Sequence, residues 1–325
     1  MSKKLIDLYK ETVLIKSAGG VDQFANLLGE QMHKELIDNF RKIPDTWKYF
    51  ARASTVSDFK PHHRIILSEA EPLLPRHEHE PVKDSRLTEA RYSVNVVEYS
   101  RAFSVTREMI VNDDIDAIKQ IPKRLGRAAA RAVNEVLHAL LNNGGSINSY
   151  DGVPFFHSSH NNTSTTSLTP DLAGANAIIA GITAIKEQRD LSGRHVLGLT
   201  PKYLVVPPAL FSTAKILCES EYLVSGGVAV YNPAYGLLEP VEDIYITSNT
   251  AWYITCDPND VWPMEVAFLD GYEEPKLLRQ AAGAVDVIGG QESPYDFTFS
   301  ELKYKVEYIF GVAFAEHKAI YRGNS

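Results

Sequence analysis

The chain has 325 residues, 44% of them apolar and 23% charged, a composition able to bury a sizeable core. Its net charge of −8 argues against a protein that grips nucleic acid through many phosphate contacts. Two cysteines, Cys218 and Cys256, are too few for a disulfide framework, and no apolar run approaches the ~18 residues of a membrane span.

Met1-Ser2-Lys3-Lys4 leads into Leu5-Ile6-Asp7 without an apolar h-region, so no signal peptide is expected and a reducing cytoplasm is the default compartment. Residues 1 to about 50 read as an arm with helical pieces. Phe24, Leu27, Leu28, Met32 and Leu36 make one amphipathic stripe, and Tyr9, Phe40, Trp47, Tyr49 and Phe50 are aromatic anchors that need a partner surface. Residues 58 to 90 are punctured by Pro61, Pro72, Pro75 and Pro81 and alternate in charge. A structureless loop of that length is unusual inside a domain. Ile65-Ile66-Leu67 and Leu73-Leu74 suit the two legs of a protruding hairpin that exposes apolar residues unless a neighbour covers them.

From Tyr92 the pattern alternates through Val94 and Val96, then slips phase to Val97, Tyr99, Phe103 and Val105. This predicts a strand with a bulge near Val96-Val97. Asn112-Asp113-Asp114 offers N-cap chemistry for a short turn, and Pro122 opens a second, longer helix ending at Asn142. Leu125, Ala129, Ala132, Val136 and Leu140 form its apolar stripe. Arg124, Arg127, Arg131, Glu135, His138 and Asn142 form the other face. Asn143-Gly144-Gly145 is expected to stop it through a residue that tolerates positive φ. Lys123, Arg124 and Arg127 sit in the first turns, where the macrodipole disfavours cations, so they face solvent or acids from elsewhere.

Beyond the helix, a helix from about Leu172 to Arg189, a strand at Tyr203–Val206 and a helix at Ala209–Glu219 are predicted. Strands at Ile244–Thr247 and Trp252–Thr255 complete an α/β domain from about 170 to 256. Leu302 to Phe310 alternates cleanly, a half-exposed strand long enough to return to the sheet begun at Tyr92.

No reaction centre emerges. His62-His63, His77-Glu78-His79 and the His157/His160 pair have metal-ligand chemistry, but no helix or cysteine context holds them, so polar loops are the simpler reading. Gly226-Gly227 and Gly289-Gly290 lack the flanking pattern of a phosphate cradle and read as turns. No nucleophile elbow or paired catalytic carboxylates are present.

In order along the chain, several blocks resemble the Mu-like major head subunit family of tailed phages. They are Tyr99 with Phe103–Glu108, Asn112-Asp113-Asp114, Pro122, Gly126–Ala130 with Glu135, Asp151-Gly152 with Phe156, and His160-Asn161. Pro201–Pro208, Trp252, Asp257-Pro258, Phe268–Gly271 with Pro275, Phe310-Gly311 and Tyr321-Arg322-Gly323 follow.

The resemblance implies an α+β chain with the Hong Kong 97-type phage capsid fold: an N-terminal arm (1–55), an extended loop (56–91), a peripheral domain with a long spine helix (92–169), an α/β axial domain (170–256) and a return to the peripheral domain (257–325). It implies a non-enzymatic major capsid protein whose hexamers and pentamers build an icosahedral shell around phage double-stranded DNA. No cofactor or metal is implied, nor sequence-specific DNA binding. Portal, scaffold and decoration proteins are the implied partners, with assembly in the bacterial host cytoplasm. An encapsulin-like compartment of the same fold and a stand-alone α/β enzyme are the alternatives. Arm and loop would lie on neighbouring subunits, placing Trp47, Ile65, Ile66 and Leu67 between chains. The loop would cover a neighbour's spine helix, setting Glu69, Glu71, Glu78 and Glu80 against Arg124, Arg127 and Arg131. Lys83 suits an isopeptide cross-link, but no partner Asn stands out, so non-covalent assembly is expected.

Overall fold

Apolar spacing of three and four over 28 residues gives one helix, Ile115–Asn142, in the computed structural model, which describes residues 20–68, 70, 75, 84, 87–106, 108–109, 115–280 and 301–324. The chain divides into two compact units: residues 1–45, 97–133 and 269–310, and residues 46–96, 134–268 and 311–325.

The first unit is built on helix α1 (Gly20–Phe40), the N-terminal part of α2 (Ile115–Asn142) and three strands. Pro122 lies inside α2 instead of opening it. It is the eighth residue, beyond the four whose N–H groups lack a helical acceptor, so the helix gives up one backbone hydrogen bond there while the proline is buried. A long strand, Glu301–Phe314, pairs antiparallel with Val97–Thr106 on one side and Lys276–Arg279 on the other, a strand where the alternation of Leu302 to Phe310 predicts one; it is not half-exposed throughout, because residues 306–311 are buried on both faces. Aromatic rings lock the register, Tyr99 stacking on Phe310 and Phe103 on Tyr304. Met32, Val105, Leu302 and Tyr304 form the core. Helices α1 and α2 touch backbone to backbone at Gly126: a Cβ there would lie 2.2 Å from the Leu36 carbonyl oxygen.

In the second unit a sheet of five strands runs Thr163–Ser164, Ile320–Gly323, Trp252–Cys256, Pro201–Val206, Glu239–Glu242. Helices α3 (Leu172–Lys186) and α4 (Pro208–Glu219) pack on it. Asp171 caps α3 by accepting from the Ala173 and Gly174 N–H groups, and Pro208 opens α4, where its missing donor costs nothing. Ile178, Ile182, Ile185, Leu204, Val206, Leu217, Trp252 and Ile254 form the core. The segment predicted as a strand at Ile244–Thr247 is instead a turn and extended chain; Glu239–Glu242 takes the sheet edge, parallel to Pro201–Val206. Where a bulge is predicted near Val96-Val97, the ladder breaks and two strands result, Glu89–Val94 and Val97–Thr106.

His138, expected on the exposed face of α2, is 2% exposed. Its Nδ1 faces the Asn134 carbonyl at 2.6 Å and its Nε2 faces Asp243 Oδ2 at 2.6 Å, with Phe50 and Tyr245 rings around it. A carbonyl only accepts, so a proton is shared between ring and carboxylate, both fully enclosed. Neither Gly144 nor Gly145 adopts positive φ. Gly144 is instead a packing glycine, since a Cβ there would sit 2.7 Å from the Phe156 ring, and turn bonds from its N–H to the Leu141 carbonyl and from the Ser146 N–H to the Asn143 carbonyl follow the helix end.

Gly126→Ala is expected to destabilise the chain by ~1–3 kcal/mol through overpacking. Gly29→Ala in α1, with nothing within 4 Å of the new Cβ, should instead gain up to ~1 kcal/mol. Chemical denaturation of both variants checks the opposite signs. Asp243→Ala leaves His138 without its partner and should cost ~3–5 kcal/mol, whereas His138→Phe with Asp243→Leu should cost less than Asp243→Ala alone.

Candidate functional site

The loop between residues 58 and 90 contains half of a hairpin. His62–Leu67 (β2) pairs antiparallel with Glu89–Val94 (β3), in a register from His62↔Val94 to Leu67↔Glu89. The second leg is therefore Glu89–Val94; Leu73 and Leu74, proposed for it, lie outside the described residues. Ser68 and Thr88 extend the ladder, the Ser68 N–H reaching the Thr88 carbonyl at 2.8 Å.

Period-two alternation sorts β2 into two faces. Arg64 points inward to Glu265, a carboxylate 3% exposed on strand Met264–Leu269: Nε lies 3.0 Å and Nη2 2.9 Å from Oε1. From β3, the Tyr92 hydroxyl donates to Glu265 Oε2 at 2.6 Å and accepts from Trp262 Nε1 at 3.3 Å. Ser54, on strand Ala51–Val56, donates to Oε1. Burial, and then the Glu265 carboxylate, push the Tyr92 hydroxyl pKa well above its ordinary value. A cleft of about 660 Å³ opens here, walled partly by Arg52, whose guanidinium sits 4.4 Å over the Trp262 ring. Ile65 and Leu67 point the other way, 57% and 58% exposed, while Ile66 is half-buried.

Arg124, Arg127 and Arg131 line an exposed side of α2, and none makes an ion pair among the described residues. Lys123 lies 3.6 Å from Glu35 of α1. Glu69, Glu71, Glu78 and Glu80 fall outside the described residues, as does Lys83. Trp47 is 6% exposed and packs edge-on against Phe268, its backbone N–H held by Asn134 Oδ1 at 3.1 Å, so the surface that it needs lies in its own chain. Phe40, Tyr49 and Phe50 likewise find Tyr308, Tyr203 and Tyr253.

Two features were missed by sequence reasoning. The first is a hairpin of Tyr222–Ser225 and Val228–Tyr231, turned by Gly226 and Gly227, both at positive φ. Tyr222, Val224, Ala229 and Tyr231 share one face and all are exposed, Val224 by 69%. The Gly-Gly pair flanked by alternating residues was the available signal. The second is polar. His157 is exposed and caps the Ser159 N–H; its ring meets that of His160 only edge-on, centroids 6.4 Å apart. Instead His160 bonds Asp151 and stacks on His317, ring centroids 3.8 Å apart. Burial first, then His160 and Lys318, push the His317 pKa down to about 3. Burial raises Asp151, but the Val153 N–H and His160 outweigh it and hold the carboxyl below its usual range. Both cysteines are buried, which pushes their thiols up to about 12.

A family model described as phage capsid protein matches residues 90–323. No curated protein matches the chain. Among solved structures, the procapsid of bacteriophage JBD30 matches at 16% identity and a TM-score of 0.50, covering 92% of this chain and 74% of that one. The bacteriophage JBD30 capsid decorated with minor capsid protein trimers matches at 17% and 0.51, covering 63% of this chain and 92% of that one. A virus-like particle from Pyrococcus furiosus matches at 10% and 0.51, covering 90% and 98%. At these identities the likeness is one of fold, the Hong Kong 97-type capsid fold. The family match spans most of the chain and carries the assignment: the chain belongs to the phage capsid protein family and is a structural protein of the virion shell.

Proposed function

We propose that this chain is the major subunit of an icosahedral shell, forming the hexamers and pentamers that enclose phage double-stranded DNA, and that it performs no catalysis. The supporting observation is a chain that fills its own cores yet, among the described residues, exposes large apolar side chains on two hairpins. Ile65 and Leu67 stand out beside the Arg91–Glu89 ion pair on one, and Tyr222, Val224, Ala229 and Tyr231 share a face of the other. Such faces belong against protein. Residues 1–55 serve as the arm, 56–91 as the extended loop, 92–169 and 257–325 as the peripheral domain, and 170–256 as the axial domain.

In this reading Ile65, Ile66 and Leu67 contact a neighbouring subunit, and the loop glutamates Glu69, Glu71, Glu78 and Glu80 meet the Arg124–Arg127–Arg131 row of another copy. Single exposed pairs are weak, but a set repeated at every interface fixes register. Portal and scaffold are separate polypeptides in this scheme, and assembly takes place in the bacterial cytoplasm. Decoration by a further protein is part of the proposal, since the JBD30 capsid carries minor capsid protein trimers. A cargo-holding compartment of the same fold is the weaker reading, because the family match is to phage capsid proteins. Neighbouring genes for portal and terminase, rather than for a cargo enzyme, distinguish the two.

Electron microscopy of the purified chain is expected to show closed shells or capsomer rings; a stable 36.2 kDa monomer at all salt and protein concentrations would overturn the proposal. Ile65→Glu with Leu67→Glu should reduce the assembled fraction at least ~10-fold and shift the monomer's stability by no more than ~0.5 kcal/mol, because both side chains are exposed. Arg127→Glu should weaken assembly most at low salt. Unimpaired assembly of the Arg124, Arg127 and Arg131 triple alanine variant would remove the basic row from the interface.

A further inference from the structure

We propose that Asp151, His160 and His317 bind a divalent transition-metal ion, zinc foremost, which fastens the loop after α2 to the last strand of the chain. Their ligand atoms all lie within 4.8 Å of one another. Two imidazole nitrogens and one carboxylate oxygen make a donor set suited to zinc, with a fourth position left for water.

The surroundings orient the donors. His160 Nδ1 lies 3.2 Å from the Phe155 carbonyl, an oxygen that only accepts, so this nitrogen carries the proton. Nε2 lies 2.7 Å from Asp151 Oδ2, and because a carboxylate only accepts, a proton holds the two together. A metal would displace that proton and move the two atoms to ~3.3 Å apart, the separation of ligands around tetrahedral zinc. A ligating histidine whose other nitrogen donates to a backbone carbonyl is the usual arrangement around zinc. On His317, Nδ1 faces the Ser149 hydroxyl at 3.3 Å, and Nε2 makes no hydrogen bond among the described residues. Asn162 braces both sides, its Nδ2 donating to the Phe155 carbonyl at 2.8 Å and the His317 carbonyl at 3.2 Å.

Access comes from Asp151, whose side chain is 34% exposed, while the His160 ring is 5% exposed. The neighbouring cation Lys318 is partly neutralised, its ammonium 3.6 Å from Glu316 Oε1. The two rings lie nearly parallel, 17° apart, so both lone pairs reach one ion only if the rings splay. The broad χ2 torsion of histidine allows that movement. Two ligands come from one loop, Asp151 in a turn after α2 and His160 nine residues on at the end of the short helix Ser158–His160, and the third from the short helix His317–Ala319 that leads into Ile320–Gly323. A metal here cross-links them without a disulfide, and its binding energy adds to folding.

The test uses the full chain, stripped with a chelator and titrated with zinc chloride and, separately, cobalt chloride. One equivalent of zinc should survive gel filtration, and cobalt should give the strong visible absorption of a low-coordinate N/O site. Asp151→Asn and His317→Gln should each weaken zinc binding by at least ~100-fold, whereas His157→Gln, at the exposed histidine nearby, should leave it unchanged. Circular dichroism on each variant separates lost ligation from lost folding, and Asp151→Asn, at the partly exposed position, keeps the test open if His317→Gln does not fold. A parent chain that retains no zinc overturns the proposal and leaves a shared proton between His160 and Asp151; zinc uptake equal in parent and Asp151→Asn overturns it as well.

Discussion

A carboxylate almost fully withdrawn from water must be paired, and Glu265 is such a carboxylate. Its two oxygens draw Arg64 from one leg of a hairpin and Tyr92 from the other, with Ser54 and Trp262 completing the set. Once these partners point inward, strand alternation leaves no choice for their neighbours: Ile65 and Leu67 turn out. The apolar display of the hairpin is therefore a consequence of polar satisfaction at its base. Removing Glu265 would release the root of the hairpin as well as an ion pair.

A similar logic runs through the rest of the chain. Close approach is bought by small residues: Gly126 lets two helix backbones meet, and Gly311 lies against the Asn95 carbonyl, where a Cβ would come within 1.8 Å. Both belong to the blocks that carry the family resemblance, so part of that resemblance reflects packing constraints of the fold. The buried His138–Asp243 pair ties the C-terminal half of α2 to the chain after Glu239–Glu242. Pairs of this kind contribute little net stability but penalise any arrangement that separates them.

How legible this was from sequence depended on how local the signal is. The long return strand, α3, α4 and the α/β character of the second unit follow from periodicity, because their apolar residues repeat within one element. His138 was misplaced because a helical wheel ranks residues by polarity and cannot see that a histidine is buried when a distant carboxylate meets it. Pro122 was read as a helix start because its local rule is strong, yet the helix extends through it. Ile244–Thr247 has strand composition but lies just beyond the strand Glu239–Glu242, whose Glu and Pro residues argue against a strand. The Asp151–His160–His317 cluster has no short spacing to find, since its third member comes 157 residues after the second. The proposed assembly residues rest on the resemblance: exposure of Ile65 and Leu67 follows from the hairpin, whereas Trp47, expected between chains, packs inside its own chain.

The enclosure of Cys218 and Cys256 has a practical side. With both thiols buried and held protonated, the folded chain offers thiol-selective reagents nothing to attack at neutral pH. A cysteine introduced at an exposed site outside the hairpins, such as Ser192 in the turn after α3, would be the sole reactive handle on every subunit. A shell of such subunits could then be decorated chemically at one defined point per copy, with fluorophores, ligands or heavy atoms, and without first removing native cysteines.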